Sequence, residues 1–320
     1  MIFIESPWID PYLNLAFEEY LLTSFSEEVF MLWRNDKAVI VGKNQNTLSE
    51  INLDYVRSKN IAVVRRLTGG GAVFHDLGNL NFSYILFNKK GLFSDFKLLT
   101  APVVEVLRDF GVPACFGGRN DLLIDGKKFS GNAQALRDGR LLHHGTIMFH
   151  ADFGDLTGSL NVDRSKISGK GVTSVRSRVT NIWDHKRIDI REFMERLKEK
   201  SDAKAYTVTE ADMDNVIRLA DSKYRTWEWN FGHSPRYVHH NKIHSAGGEL
   251  EAYVDVNQGK IISVRIFGDF FSRSSVLDIE NALKDVRYIR NDISGVLSGF
   301  DISEYFLNIS IDDILECLGV

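Results

Sequence analysis

The chain holds only two cysteines in 320 residues, Cys115 and Cys317. That excludes a disulfide-stapled scaffold and suits a reducing compartment. Positive charge is not in excess: 39 Lys and Arg stand against 43 Asp and Glu, a net charge of −4. This argues against a general nucleic-acid binder. No apolar run is long enough to span a membrane. The opening residues, Met1-Ile2-Phe3-Ile4-Glu5, lack the basic region and long apolar core of a signal peptide. Internal repeats and low-complexity tracts are also missing. These absences predict a soluble cytoplasmic protein without nucleic-acid or membrane partners. The 44% hydrophobic content is enough for a sizeable core, and the length suggests two domains.

Local signals place the elements. Asp10-Pro11 is a helix start, with Leu13, Phe17, Tyr20 and Leu21 following at helical spacing. Residues 29–33 and 38–41 read as paired strands. Leu80, Phe82, Tyr84 and Leu86 alternate as in a half-buried strand. Residues 95–110 form an amphipathic helix closed by Gly111. Asp125-Gly126 and Asp138-Gly139 mark hairpin turns, so the middle of the chain is an antiparallel meander. Residues 161–181 are basic and polar and read as a mobile loop. Helices are expected near 190–198 and 211–223. A boundary falls after Trp227-Glu228-Trp229-Asn230-Phe231-Gly232, giving units of 1–239 and 240–320.

The densest signal is Arg65-Arg66-Leu67-Thr68-Gly69-Gly70-Gly71-Ala72-Val73-Phe74-His75-Asp76. Three consecutive glycines cost backbone entropy, and a main chain that must approach a ligand is one reason to keep them. Arginines beside them offer planar, charged forks suited to phosphate or carboxylate. A glycine hairpin with two surface arginines is the competing structural explanation. A P-loop is excluded, since no Gly-Lys-Ser/Thr follows and the next residues are strand-like. A Rossmann fingerprint fails because its glycines must open a helix.

Three further segments set polar groups beside glycine within apolar strand context. They are Gly118-Arg119-Asn120-Asp121, Lys128-Phe129-Ser130-Gly131-Asn132-Ala133 and His143-His144-Gly145-Thr146. Alone, each is explained by a turn or a satisfied strand residue. Together they suggest strand ends converging on one anionic ligand.

These segments, in this order, resemble the lipoate–protein ligases of the long, two-domain type. Lys170-Gly171-Val172-Thr173-Ser174 and the Trp227-Glu228-Trp229 stretch match as well. The resemblance implies an α+β fold: a biotin-protein-ligase-like catalytic domain with a mixed, largely antiparallel sheet and flanking helices, then a small α/β C-terminal accessory domain. It also implies the chemistry. Lipoate and ATP would form lipoyl-adenylate and pyrophosphate. A lysine of a lipoyl domain, on the E2 subunit of a 2-oxoacid dehydrogenase or on the glycine-cleavage H protein, would then displace AMP. On this resemblance Lys128 is the catalytic cation touching lipoate and nucleotide. Arg66, Gly71, Ala72, Val73 and Phe74 match the ATP-binding segment. Arg65, Gly70, His144 and Trp33 would border lipoate. Mg²⁺ would accompany ATP, with Asp121 as its candidate carboxylate. Residues 166–178 could close over the adenylate, excluding water from the mixed anhydride.

Three rivals are weighed. An octanoyl- or lipoyl-transferase on the same fold would need no ATP and would use a thioester. Cys115 and Cys317 have no histidine base nearby in sequence and read as small buried hydrophobes. A biotin ligase shares the adenylation logic, but the motifs favour lipoate. A non-catalytic lipoate or nucleotide sensor would not require the cation set that a charged transition state does.

Overall fold

The computed structural model describes residues 1–320 except Asn46 and residues 89–90, 161–177, 232–238, 258–259 and 289. The expected loop over 166–178 therefore lies outside the described residues, save Arg178.

The N-terminal signal works as its chemistry dictates. The Asp10 carboxylate accepts from the amides of Tyr12 at 2.7 Å and Leu13 at 3.2 Å, and Pro11 opens the helix Pro11–Ser24. That helix lays Leu15, Phe17 and Leu21 against Ile4, Met31 and Ile85 of the sheet.

The main sheet has eight strands. They are β1 (Ile2–Glu5), β2 (Val29–Trp33), β6 (Asn79–Phe87), β7 (Ala114–Gly117), β8 (Asp121–Ile124), β9 (Lys127–Arg137), β10 (Arg140–Met148) and β11 (Lys204–Ala205). Their spatial order is β11-β1-β2-β6-β10-β9-β8-β7. Only the β1–β11 and β1–β2 pairs are parallel, so the sheet is mixed and largely antiparallel. A second sheet sets β3 (Ala38–Val41) between β4 (Ala62–Arg65) and β5 (Val73–His75).

Strands 29–33 and 38–41, expected to pair with each other, separate into different sheets. The residues between them are tied elsewhere. The Asn14 side chain donates to Arg34 O at 2.9 Å, and the Asp36 amide donates to Ile9 O at 2.8 Å. The link is thereby held against the helix start and does not close a hairpin.

β6 also departs from expectation: it is buried on both faces until its last residues. Leu80, Phe82 and Tyr84 face the core beneath the helix Phe96–Asp109. Asn79, Asn81 and Ser83, on the opposite face, are buried as well. Cys115 is exposed, contrary to its reading as a buried hydrophobe, whereas Cys317 is buried. β7 is an edge strand, and its alternation turns Ala114 inward and Cys115 outward.

The tail forms its own antiparallel sheet, β12 (His239–Ser245), β13 (Gly248–Asn257) and β14 (Lys260–Gly268). Helices Val276–Ala282 and Ile311–Cys317 cover a separate core that includes Leu250, Val264, Phe270, Ile279 and Leu315. The two units touch. Gly268 N donates to Asn44 O at 2.7 Å, the Arg119 guanidinium donates to Gly247 O, and Phe271 packs 5.4 Å from Phe96. The architecture is α+β with a small C-terminal α/β unit. Among the described residues no helix is long and apolar enough to cross a membrane.

Candidate active site

One row of residues crosses five strands of the main sheet. Trp33 on β2 pairs with Asn81 on β6, and Asn81 with Thr146 on β10. Thr146 Oγ1 accepts from Gly131 N of β9 at 3.2 Å, and Gly131 pairs with Asp121 on β8. With strands about 4.8 Å apart, the row is roughly 19 Å long. A cavity of about 300 Å³ is lined by every member of this row. Gly70, Gly71, Ala72 and Val73 line it too, as do Arg119 and Lys128 beside Asp121 and His75 beside Trp33.

The glycine loop is held from inside by Arg66. Its Nη2 donates to Gly69 O at 2.6 Å and Gly71 O at 2.9 Å, its Nη1 to Ile40 O at 3.1 Å, and its Nε to Thr68 Oγ1 at 2.9 Å. Gly70 takes φ +89°, and a Cβ there would stand 3.0 Å from Arg66 Nη2. The loop therefore needs glycine to wrap the guanidinium. Burial pushes the Arg66 pKa down to about 10, so it stays a cation at neutral pH.

Arg65, expected beside lipoate, does not line the cavity. Consecutive residues of an extended chain point to opposite faces. Its side chain turns away and donates to Gly42 O at 2.9 Å, Gln45 O at 2.7 Å, Thr47 Oγ1 at 2.6 Å and Trp229 O at 3.1 Å. It binds β4 to residues 42–45, to Thr47 and to the end of the N-terminal unit. Phe74 likewise packs its ring with Val39 and Val41, outside the cavity lining.

Lys128 stands at the opposite end from Trp33, with Nζ 2.8 Å from Asp121 Oδ1. Its carbonyl accepts from Thr180 N at 2.9 Å, fixing its main chain. Asn120 and Asn132 brace this end by exchanging side-chain bonds to each other's carbonyls.

His144 and Trp33, both lining the cavity, belong to one buried network. His144 Nδ1 donates to Glu18 Oε1 at 2.9 Å, and its Nε2 accepts from Thr68 Oγ1 at 2.8 Å. Ser83 Oγ donates to Glu18 at 2.5 Å and accepts from Trp33 Nε1 at 2.8 Å. The network links helix, sheet and glycine loop in one path, from Arg66 through Thr68, His144 and Glu18 to Trp33.

Several of these residues carry no assignment from the sequence. Glu18 sits among apolar helix positions, and Asn81 and Ser83 sit between core residues of a strand. Their only signal is polarity inside strongly apolar elements. Asp269 lines the cavity from the tail, a contact no local pattern encodes. No cysteine lines it.

Comparison with known proteins agrees with this arrangement. Residues 10–201 match the lipoyl protein ligase A/B catalytic domain, and residues 234–318 match the bacterial lipoate protein ligase C-terminus. The lipoate-protein ligase LplJ of Bacillus subtilis is 40% identical over 99% of this chain and 100% of its own. The crystal structure of P. falciparum LipL1 in complex with lipoate superposes with TM-score 0.81 at 25% identity, covering 98% of each chain. A lipoate-protein ligase A bound with ATP superposes with TM-score 0.64 at 32% identity, covering 72% of this chain and 97% of its own. The chain belongs to the lipoate–protein ligase family and is a ligase.

Proposed function

We propose that this cavity activates lipoate with ATP and passes the lipoyl group to a lysine of a lipoyl domain or of the glycine-cleavage H protein. The observation that carries the reading is the pairing of a lysine end with a long inner channel under a glycine loop. The lipoate carboxylate lies at Lys128, and its chain runs over the sheet row toward Trp33 and His144. The ATP phosphates lie along Gly71, Ala72 and Val73, with Lys128 between the two substrates. Residues 1–239 act as the catalytic unit and 240–320 as its accessory. We place the reaction in the cytoplasm, in keeping with two unpaired cysteines.

Each step follows from charge. A lipoate carboxylate oxygen attacks the α-phosphorus, the bond to the β-phosphate oxygen breaks, and pyrophosphate leaves. Two anions meet in that step, and the Lys128 ammonium offsets their repulsion as the transition state gains charge. Arg66 holds the loop that presents the amides, while its own charge sits beneath them. A neutral acceptor lysine then attacks the acyl carbon, the bond to phosphate oxygen breaks, AMP leaves, and the amine gives up its proton. Asp121, a carboxylate lining the cavity beside Lys128, would suit one oxygen position of Mg²⁺, which takes few protein ligands. When bound, Mg²⁺ would neutralise phosphate charge.

Mass spectrometry tests this reading against the transferase. A purified lipoyl domain incubated with enzyme, lipoate and ATP should gain one lipoyl amide, with AMP formed in equal amount. Modification from an acyl-carrier thioester without ATP would move the function to acyl transfer.

A further inference from the structure

Two buried hydrogen-bond donors at the inner end of the cavity have no partner among the described residues. They are His75 Nε2 and Asn81 Nδ2. Both residues line the cavity, and they are 2% and 1% exposed. Asn81 lies three strands from Asp121 in the sheet row, roughly 14 Å at about 4.8 Å per strand.

The His75 tautomer is fixed by a chain of side chains. Asn14 Nδ2 donates to Arg34 O at 2.9 Å and to Asn35 Oδ1 at 2.9 Å, while Ser6 Oγ donates to Asn14 Oδ1 at 2.5 Å. Asn35 Oδ1 is thus an acceptor, and Asn35 Nδ2 donates to His75 Nδ1 at 3.1 Å. Burial, with the Arg66 charge adding to it, pushes the His75 pKa down to about 3. The ring is neutral, so its one proton sits on Nε2. Asn79 Nδ2 donates to Asn81 Oδ1 at 2.9 Å, which leaves the Asn81 nitrogen. Trp33, by contrast, spends its N–H on Ser83 and offers only an apolar wall.

A channel meant for a plain alkyl chain has no use for such groups, because an unpaired buried donor is costly. We infer that His75 and Asn81 donate to the dithiolane sulfurs of lipoate and make this enzyme select lipoate over octanoate. The inference rests on the proposed orientation, with the carboxylate at Lys128. Divalent sulfur is a weak acceptor that can meet these donors, whereas the methyl end of octanoate cannot. Sites built to bond a substrate group reject analogues that lack it.

The test compares three acids in ATP–pyrophosphate exchange: lipoate, octanoate, and cyclopentylpentanoic acid, which keeps the ring shape without sulfur. Wild-type kcat/KM should favour lipoate over both others by about tenfold or more. His75→Phe and Asn81→Leu should bring the ratios toward one, chiefly through loss of lipoate. His75→Gln, which retains a donor, should restore part of the preference. Should His75→Phe fail to fold, Asn81→Leu and the wild-type ratios decide. Equal use of all three acids by the wild type, or a proportionate loss with all three in the variants, overturns the inference while leaving adenylation intact. Exchange with none of the acids would instead defeat the proposed function from which it starts.

Discussion

Arg65 and Arg66 are neighbours in sequence, yet their guanidinium groups lie on opposite sides of the chain. Arg66 organises the glycine loop over the cavity. Arg65 is fully buried and spends its donors on main-chain carbonyls and Thr47. Burial pushes its pKa down to about 10, which still leaves it charged at neutral pH. A charge this deep is tolerable only because those oxygens replace water. Arg65→Met should therefore cost stability, about 3 kcal/mol or more, since several buried carbonyls lose their donor together. Urea unfolding checks this, and an unchanged midpoint would contradict the tie. Sequence pairs the two arginines as one ligand-facing motif, and strand alternation alone separates them.

At the scale of elements, the helix Pro11–Ser24 is joined to the sheet by more than apolar packing. Glu18 is 1% exposed and accepts from both His144 and Ser83. Glu18→Leu would strand two buried polar groups and should destabilise the fold by roughly 3 kcal/mol. It should also loosen Thr68 and the glycine loop through His144. Thermal unfolding reads the first effect, and a melting temperature equal to the wild type would refute it. The alternation of Leu80, Phe82 and Tyr84 made β6 legible, and the cap at Asp10 made the first helix legible. What escaped was the pairing of β2 and β3. A strand's partner depends on distant residues, and here Asn14 and Ile9 hold the 34–37 link away from a hairpin. Asn79, Asn81 and Ser83 read as a solvent face, because polar alternation looks the same whether it meets water or a buried cavity. Lys128, Arg66 and His144 stand near glycines in an apolar strand context, the pattern that singled them out, and all three line the cavity.

In the whole molecule, the tail reaches the same cavity. Asp269 lines it, and Phe271 stacks under the Arg119 guanidinium, 4.7 Å from its ring centre. Gly69 faces the tail so closely that a Cβ would stand 2.4 Å from Phe270 O. Gly69→Ala should therefore weaken docking of the tail while leaving both cores folded, since the clash is with the main-chain carbonyl of Phe270 and not with its core-packed ring. Faster proteolytic cleavage between the units, with little change in thermal unfolding of either, is the expected result. Wild-type cleavage rates would contradict it. Such contacts between units are modest in size and polar, so one steric clash is enough to shift them.

The cavity joins both units, the glycine loop and Lys128 in a single proposed step, the formation of an acyl-adenylate. Lipoate-dependent exchange of labelled pyrophosphate into ATP measures that step alone, without any acceptor protein. Wild-type enzyme should exchange with lipoate and not when no acid substrate is present. Lys128→Ala, folded by circular dichroism, should lose on the order of 10²-fold or more in rate. Exchange that ignores lipoate, or a Lys128→Ala variant as fast as the wild type, would contradict adenylation at this site.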